Sequence, residues 1–313
     1  MKYFILFCLS SIYLLADATI FVYHRFGDAR HESTNTSILE LRSNLEYFKK
    51  NNYEVVPLSK IIQKLKNKEN IPDNWVSISI DDAYKSFYKN GLEVFKEYNY
   101  PFTLFVYVEA TNSKYSDFMT WEELRDASKY GDIELHSYSH KSLVKLSNKE
   151  IHEDTKLAFD LFEKNMGYKP KYYSYPFGEY DDRVKEELKK FGFESIMNQT
   201  NGSVNIDSDT FNINRTALVG KSDINEKIKY KTLKADWIEP KEYPKDGVLK
   251  EVKVKIDPSI KEAKIFVSTH GWQNVKVNNG TIDIKLNKKL KLNRSIVAVS
   301  TDYYTISNKL IIK

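Results

Sequence analysis

"WVSISIDDAYKSF", residues 75–87, reads as a strand running into a helix, with two adjacent carboxylates at the joint. Val76, Ile78 and Ile80 alternate with Ser77 and Ser79, the period-two pattern of a strand with unlike faces. The run stops at Asp81-Asp82. A helix N-cap with an acid complementing the dipole accounts for one aspartate. It does not account for a neighbouring pair, whose charges repel.

The same strand-then-helix rhythm extends from residue 19 to about 220. "TIFVYHRF" (19–26), "YEVVPL", "WVSISI", "FTLFVYV", "DIEL", "YYSY" and "ESIM" are strand-like, rich in β-branched and aromatic residues. Helices are predicted after the Ser37/Glu40 capping box, over 85–97, over 121–130 behind Thr120/Glu123, over 148–166 behind Ser147/Glu150, and over 182–191. Repetition of that unit predicts an α/β fold, a mostly parallel sheet closed or nearly closed by helices. In such folds the chemistry collects just past the carboxyl ends of the strands.

From about Lys241 the pattern changes to short alternating strands, "VLKEVKVKI", "AKIFVST", "NVKV", "TIDIKL", "SIVAVS" and "NKLIIK", with a hairpin signal at Asn279-Gly280. A small C-terminal all-β, sandwich-like domain over 239–313 is expected, joined by the proline- and charge-rich "EPKEYPKDG". The barrel-forming domain then covers 19–238. At the other end, Met1-Lys2, an apolar run from Tyr3 to Leu15 and Ala16-Asp17-Ala18 have the layout of a signal peptide over 1–18, cleaved after Ala18. The run is short for a membrane span. Export to a periplasm or cell surface follows, with no stable membrane span after cleavage. The single cysteine, Cys8, lies in that segment, so the mature chain has no disulfides. The net charge of +5 is spread through mixed Lys/Glu segments without an arginine cluster, which argues against a nucleic-acid partner. The 22 tyrosines and 17 phenylalanines suit sugar faces and a core equally.

Three features fall at predicted strand ends: Asp81-Asp82, His136 with His140 after "DIEL", and "YPFGEYDD" (175–182) after "YYS". If the segment after "DIEL" is helical, His136 and His140 point the same way one turn apart. With one carboxylate from another strand end they make a facial site for a divalent metal. Hydrolysis also needs a base, so one aspartate of the pair can ligate while the other stays free.

At these residues the chain resembles the polysaccharide deacetylases of the NodB-homology, or carbohydrate esterase 4, family. Ser79-Ile80-Asp81-Asp82-Ala83 matches in part the family's Thr-Phe-Asp-Asp-Gly, and His136-Ser137-Tyr138-Ser139-His140 matches its His-Ser/Thr-x-x-His in full. Ser174-Tyr175-Pro176-Phe177-Gly178 matches in part its Arg-x-Pro-Tyr/Phe-Gly. "VYHRF", "MTWEEL" and "YPFGEY" are similar to the branch that deacetylates poly-N-acetylglucosamine. The resemblance implies a distorted (β/α)7 barrel and a divalent metal, commonly zinc, with cobalt or nickel as substitutes. It implies Asp82, His136 and His140 as metal ligands, Asp81 as general base and the Phe177 N–H as oxyanion donor.

Two departures shape the expectations. The motif-three arginine is Ser174 here, and Arg215 in "NINRTAL" is the candidate to replace its charge. The family's late Leu-x-His has no counterpart between residues 153 and 269, and His24 on the first strand end is the candidate substitute. Ser137 is expected to steady the histidine loop; His31 to line the cleft, His152 to be solvated on a helix, and His270 to be structural. Ala83 and Leu135 stand where relatives carry glycine and narrow local backbone freedom. The expected activity is removal of N-acetyl groups from an N-acetylglucosamine-containing polymer, poly-N-acetylglucosamine before peptidoglycan. A catalytically weak carbohydrate-binding protein and an O-acetyl glycan esterase are the alternatives, and an acetylated glycan is the partner in each.

Overall fold

The computed structural model describes residues 17–313, so the expected signal segment lies outside the described residues except for Asp17 and Ala18. These two are joined to the barrel. Ala18 pairs with Val204, and Asp17 accepts from Ser203 Oγ at 2.8 Å.

Seven parallel strands form the main sheet: β1 (Thr19–Tyr23), β2 (Trp75–Ile80), β3 (Thr103–Val106), β4 (Asp132–Leu135), β5 (Tyr172–Ser174), β6 (Ser195–Met197) and β7 (Thr216–Ala217). Their order is β7-β1-β2-β3-β4-β5-β6, with the short strand Glu54–Val55 added beside β2. A parallel bridge from Met197 to Ile213 carries β6 toward the segment that leads into β7. The result is the mostly parallel sheet expected from the strand-helix rhythm, in the distorted (β/α)7 barrel form that the resemblance implied.

Among the described residues, six α-helices of seven residues or more pack around it: α1 (Ile38–Lys50), α2 (Leu58–Lys66), α3 (Leu92–Tyr98), α4 (Trp121–Ala127), α5 (Asn148–Met166) and α6 (Asp182–Lys189). Capping boxes at Ser37/Glu40, Thr120/Glu123 and Ser147/Glu150 start α1, α4 and α5, and Gly167 ends α5 in the left-handed region at φ 83°. The segment 85–97 is helical as expected, but not α-helical throughout. Phe87–Gly91 forms a wider π-type turn before α3, with Gly91 pressed against the Phe26 and Phe87 rings. Helix α2, starting behind Pro57, replaces the end of the strand expected at "YEVVPL".

Strand parity explains the lumen. Phe21, Tyr23, Val76, Ile78, Ile80, Leu104, Val106, Ile133, Leu135, Tyr173 and Ile196 belong to the cluster shared with the helices. The alternate positions include the small or polar Ser77, Ser79, Thr103, Glu134, Ser174 and Ser195, buried on the other face, together with Ile20, Phe105 and Met197, which form a second apolar cluster with α2. Asp81 continues the phase of Ser77 and Ser79. The alternation in the opening stretch is therefore apolar toward the helices and polar toward the barrel axis.

The C-terminal all-β part is present and begins earlier than expected. Strands β8 (Lys231–Thr232) and β9 (Asp236–Glu239) already belong to it, followed by β10 (Val248–Lys255), β11 (Glu262–Val267), β12 (Gly271–Lys276), β13 (Thr281–Lys289), β14 (Arg294–Ser300) and β15 (Thr305–Ile312). One sheet runs β8-β15-β14-β11-β12 and the other β9-β10-β13. Leu249, Val252, Val254, Ile265, Ile282, Val297 and Val299 make their common core. The boundary shifted because β8 and β9 are too short to carry a period. The turn at Asn279-Gly280 forms, both residues at positive φ, but it passes the chain from one sheet to the other.

Candidate active site

Asp81 and Asp82 leave β2 in different directions. Asp81 keeps the strand's inward phase, and its N–H donates to Tyr23 O at 2.9 Å across from β1. Asp82 and Ala83 then adopt left-handed backbone, φ 73° and 59°, which swings the second carboxylate sideways. A non-glycine residue there costs about 1–2 kcal/mol. Ser137 (φ 66°), His140 (φ 51°) and Phe177 (φ 60°) bear the same strain on the other two motif loops. Such strain gathers where surrounding contacts over-determine a geometry.

The histidine pair is not helical. His136 follows β4, and residues 137–140 form a tight loop. Asp154 on α5 accepts the N–H groups of Tyr138 at 3.0 Å and Ser139 at 2.9 Å, and Ser137 Oγ accepts from His140 N at 3.0 Å. Those bonds satisfy the backbone in place of helical ones, and the two imidazoles converge more closely than one helical turn would bring them. Ser137 steadies the loop, as expected. His136 Nδ1 lies 2.7 Å from Ser174 O, an acceptor only, so Nδ1 carries the proton and Nε2 presents its lone pair inward. His136 Nε2 and His140 Nε2 are 3.2 Å apart, and the buried Asp82 Oδ1 is 3.4 Å and 3.0 Å from them. Two imidazole nitrogens and a carboxylate oxygen thus lie within 4.8 Å of one another, a donor set that suits a divalent cation. Burial works against protonating His136, but Asp81 and Asp82 outweigh it and raise its pKa. Asp82 is held well below the usual carboxylate range; burial opposes this, and the His136 and His140 contacts prevail.

Asp81 has different partners. Arg215, fully buried just before β7, donates from Nη1 to Oδ1 at 2.8 Å and from Nη2 to Oδ2 at 2.7 Å. Gln199 Nε2 adds a bond to Oδ2 at 3.0 Å and Ser174 Oγ another at 3.2 Å. Burial pushes the Asp81 pKa up, but Arg215 and His136 win and bring it down to about 2. Arg215 reaches across the lumen, donating also to Asn198 O, Ser79 Oγ and Ser174 Oγ, with the Phe105 ring 5.3 Å from its guanidinium carbon. Arg215 thus reaches Asp81 from beside a different strand than Ser174, whose small side chain leaves it room.

His24 follows β1 beside Asp81. Its Nδ1 is buried without a hydrogen-bond partner among the described residues. Burial lowers its pKa against the pull of Asp82 and Asp81. Phe177, almost half exposed, places its ring edge-on to His140, centroids 4.7 Å apart. All seven residues singled out from the sequence, Asp81, Asp82, His136, His140, His24, Phe177 and Arg215, therefore meet at one end of the barrel.

Other residues at this end carried no signal in a single sequence. Gln199 and Asp154 act through ordinary polar side chains on a loop and a helix face. At the rim, Arg25 stacks 3.5 Å over the Tyr84 ring centroid and pairs with Asp28 and Asp117 at 2.8 Å and 2.6 Å. Arg30 bonds the same two carboxylates. His31 joins them, 3.9 Å from Asp117. That second acidic group is already satisfied by two guanidiniums. His152 is exposed on α5 with its ring 5.0 Å from Phe191, and His270 lies in the β module 2.9 Å from Lys289 O.

Residues 68–196 match the family model for polysaccharide deacetylase. A poly-β-1,6-N-acetyl-D-glucosamine N-deacetylase of Staphylococcus epidermidis is 25% identical over 189 residues, 56% of this chain and 65% of that protein. The chain thus spans just under two thirds of that relative's length. Among solved structures, the Streptococcus pyogenes deacetylase PplD in complex with acetate superposes with a TM-score of 0.61 at 16% identity, covering 66% of this chain and 94% of that one. IcaB from Ammonifex degensii superposes at 0.59 with 22% identity, covering 65% and 92%.

Proposed function

We propose that this chain, whose barrel belongs to the polysaccharide deacetylase family, is a metal-dependent hydrolase removing N-acetyl groups from an N-acetylglucosamine polymer. The observation that carries this reading is the division between the two aspartates: Asp82 faces two imidazoles, and Asp81 is gripped by Arg215. A polymer of the poly-N-acetylglucosamine type is favoured by the named activity of the staphylococcal relative. Export fits a polymeric glycan substrate. Among the described residues no helix is long and apolar enough to cross a membrane.

A divalent cation held by Asp82, His136 and His140, zinc in first place, would acidify water and polarise the acetamide carbonyl. Asp81 is the general base. Its Oδ1 accepts from Arg215 alone and keeps a lone pair for the proton of the attacking water. Arg215 and Gln199 fix the carboxylate's orientation. The Phe177 N–H donates to the oxyanion. His24, beside Asp81 with a free Nδ1, carries a proton to the leaving amine, the task for which the family's late histidine is missing. The C-terminal residues 231–313 form an accessory β domain.

The test is acetate release by the zinc- or cobalt-loaded protein from chitooligosaccharides, poly-N-acetylglucosamine, peptidoglycan and an O-acetylated glycan. Release from the N-acetylated polymers is expected. Release from the O-acetylated glycan alone would make it an esterase, and glycan retention without any release would make it a binding protein. A further expectation concerns the loop that carries the ligands. Asp154→Ala removes the acceptor holding Tyr138 and Ser139, and cobalt affinity should fall about 10–100-fold, read by spectroscopic titration.

A further inference from the structure

Glu179 is a carboxylate only 6% exposed, placed one residue beyond the Phe177-Gly178 turn. Both of its oxygens are taken. Oε2 accepts from Ser142 Oγ, two residues past His140, and Oε1 accepts from Arg294 Nε at 3.0 Å. Arg294 also donates from Nη2 to Phe177 O at 3.3 Å. Arg294 is the first residue of β14 and so belongs to the C-terminal module. One buried carboxylate therefore ties together the histidine loop, the Phe177 turn and a separate β fold.

The turn needs such a tie. Phe177 is left-handed without being glycine, and Gly178 at φ 68° has no room for a side chain, since a Cβ would stand 2.6 Å from Gln199 N. Gln199 in turn bonds Asp81. A shift of the turn would move the Phe177 N–H, the ring over His140 and the Gln199 contact together.

We propose that Arg294 and Glu179 are positioning residues, through which the β module sets the Phe177 turn and becomes part of the active-site scaffold. The proposal rests on the hydrolase reading for its effect on rate, but not for its effect on the turn. Half of the Arg294 side chain is exposed, so its ion pair adds little to global stability, and its use is geometric. The test compares full-length Arg294→Ala, Arg294→Lys and Glu179→Gln with the wild type, all loaded with cobalt. We expect Arg294→Ala and Glu179→Gln to lose about 10–100-fold in kcat on a chitooligosaccharide, with KM and cobalt affinity within about threefold. Amide exchange at Gly178 and Glu179, whose N–H groups bond Tyr175 O and Pro176 O, should speed up while the barrel strands keep their protection. Arg294→Lys, which keeps the charge without the fork, should fall between. Unchanged kcat and exchange in Arg294→Ala overturns the proposal. Exchange that rises throughout the barrel in both Arg294 variants also overturns it, as a merely structural role. If the wild type releases no acetate, the hydrolase reading fails, and exchange at the turn still decides whether the tie holds.

Discussion

Asp81→Asn should lower acetate release by about 10³-fold and leave cobalt bound at Asp82, His136 and His140. Asparagine keeps the volume of the side chain but has no basic oxygen. Its amide group would also meet the donors of Arg215, Gln199 and Ser174 that now converge on a carboxylate. The variant therefore unpairs a buried guanidinium, and its Tm should fall too. Cobalt titration separates the two effects. Wild-type release by this variant would remove Asp81 from the base's role. The pH dependence carries the same signature. The Asp81 pKa is brought from an ordinary 3.8 down to about 2, so the ionised carboxylate stabilises the fold above pH about 4. That contribution is lost as the pH falls through about 2, and acid unfolding should show it in this window.

Arg215→Met should be the most destabilising single change in the barrel. It leaves Asp81 buried with its charge uncompensated, at a cost of about 3–5 kcal/mol. For a domain of this size each kcal/mol lowers Tm by about 2–4 °C, so a fall on the order of 10 °C is expected by calorimetry. The acid limb of the activity profile should move to higher pH, because burial, the largest influence on Asp81, would then be opposed mainly by His136. A double Asp81→Asn/Arg215→Met protein should lose less than the sum of the two single losses, since neither group would remain as an unpaired charge. Additive losses would mean that the two side chains act independently.

The acidic pair, the two histidines and the strand-helix alternation were legible because each is short-range: a period of two, a capping box, a motif within five residues. Arg215 was legible only by default, as a cation sought to replace the one absent at Ser174. The loop geometry of 136–140 was not legible. It depends on Asp154, a helix residue with nothing in its neighbourhood to mark it as a loop anchor. Glu179 sat inside a quoted motif, yet its partner Arg294 lies 115 residues away in another sheet. Contacts that join distant strand ends leave no spacing in one sequence to read.

Arg215 has a consequence for biogenesis. It enters the lumen from just before the last barrel strand and bonds groups on or beside β2, β5 and β6. During synthesis, the strand that carries Asp81 emerges about 130 residues before the arginine that neutralises it. A nascent chain lacking β7 would have to bury a bare carboxylate, so the lumen cannot close early. Barrel closure and charge completion become one late event, and chains truncated before residue 215 should be recognised by proteases as unfinished rather than accumulate as inactive barrels.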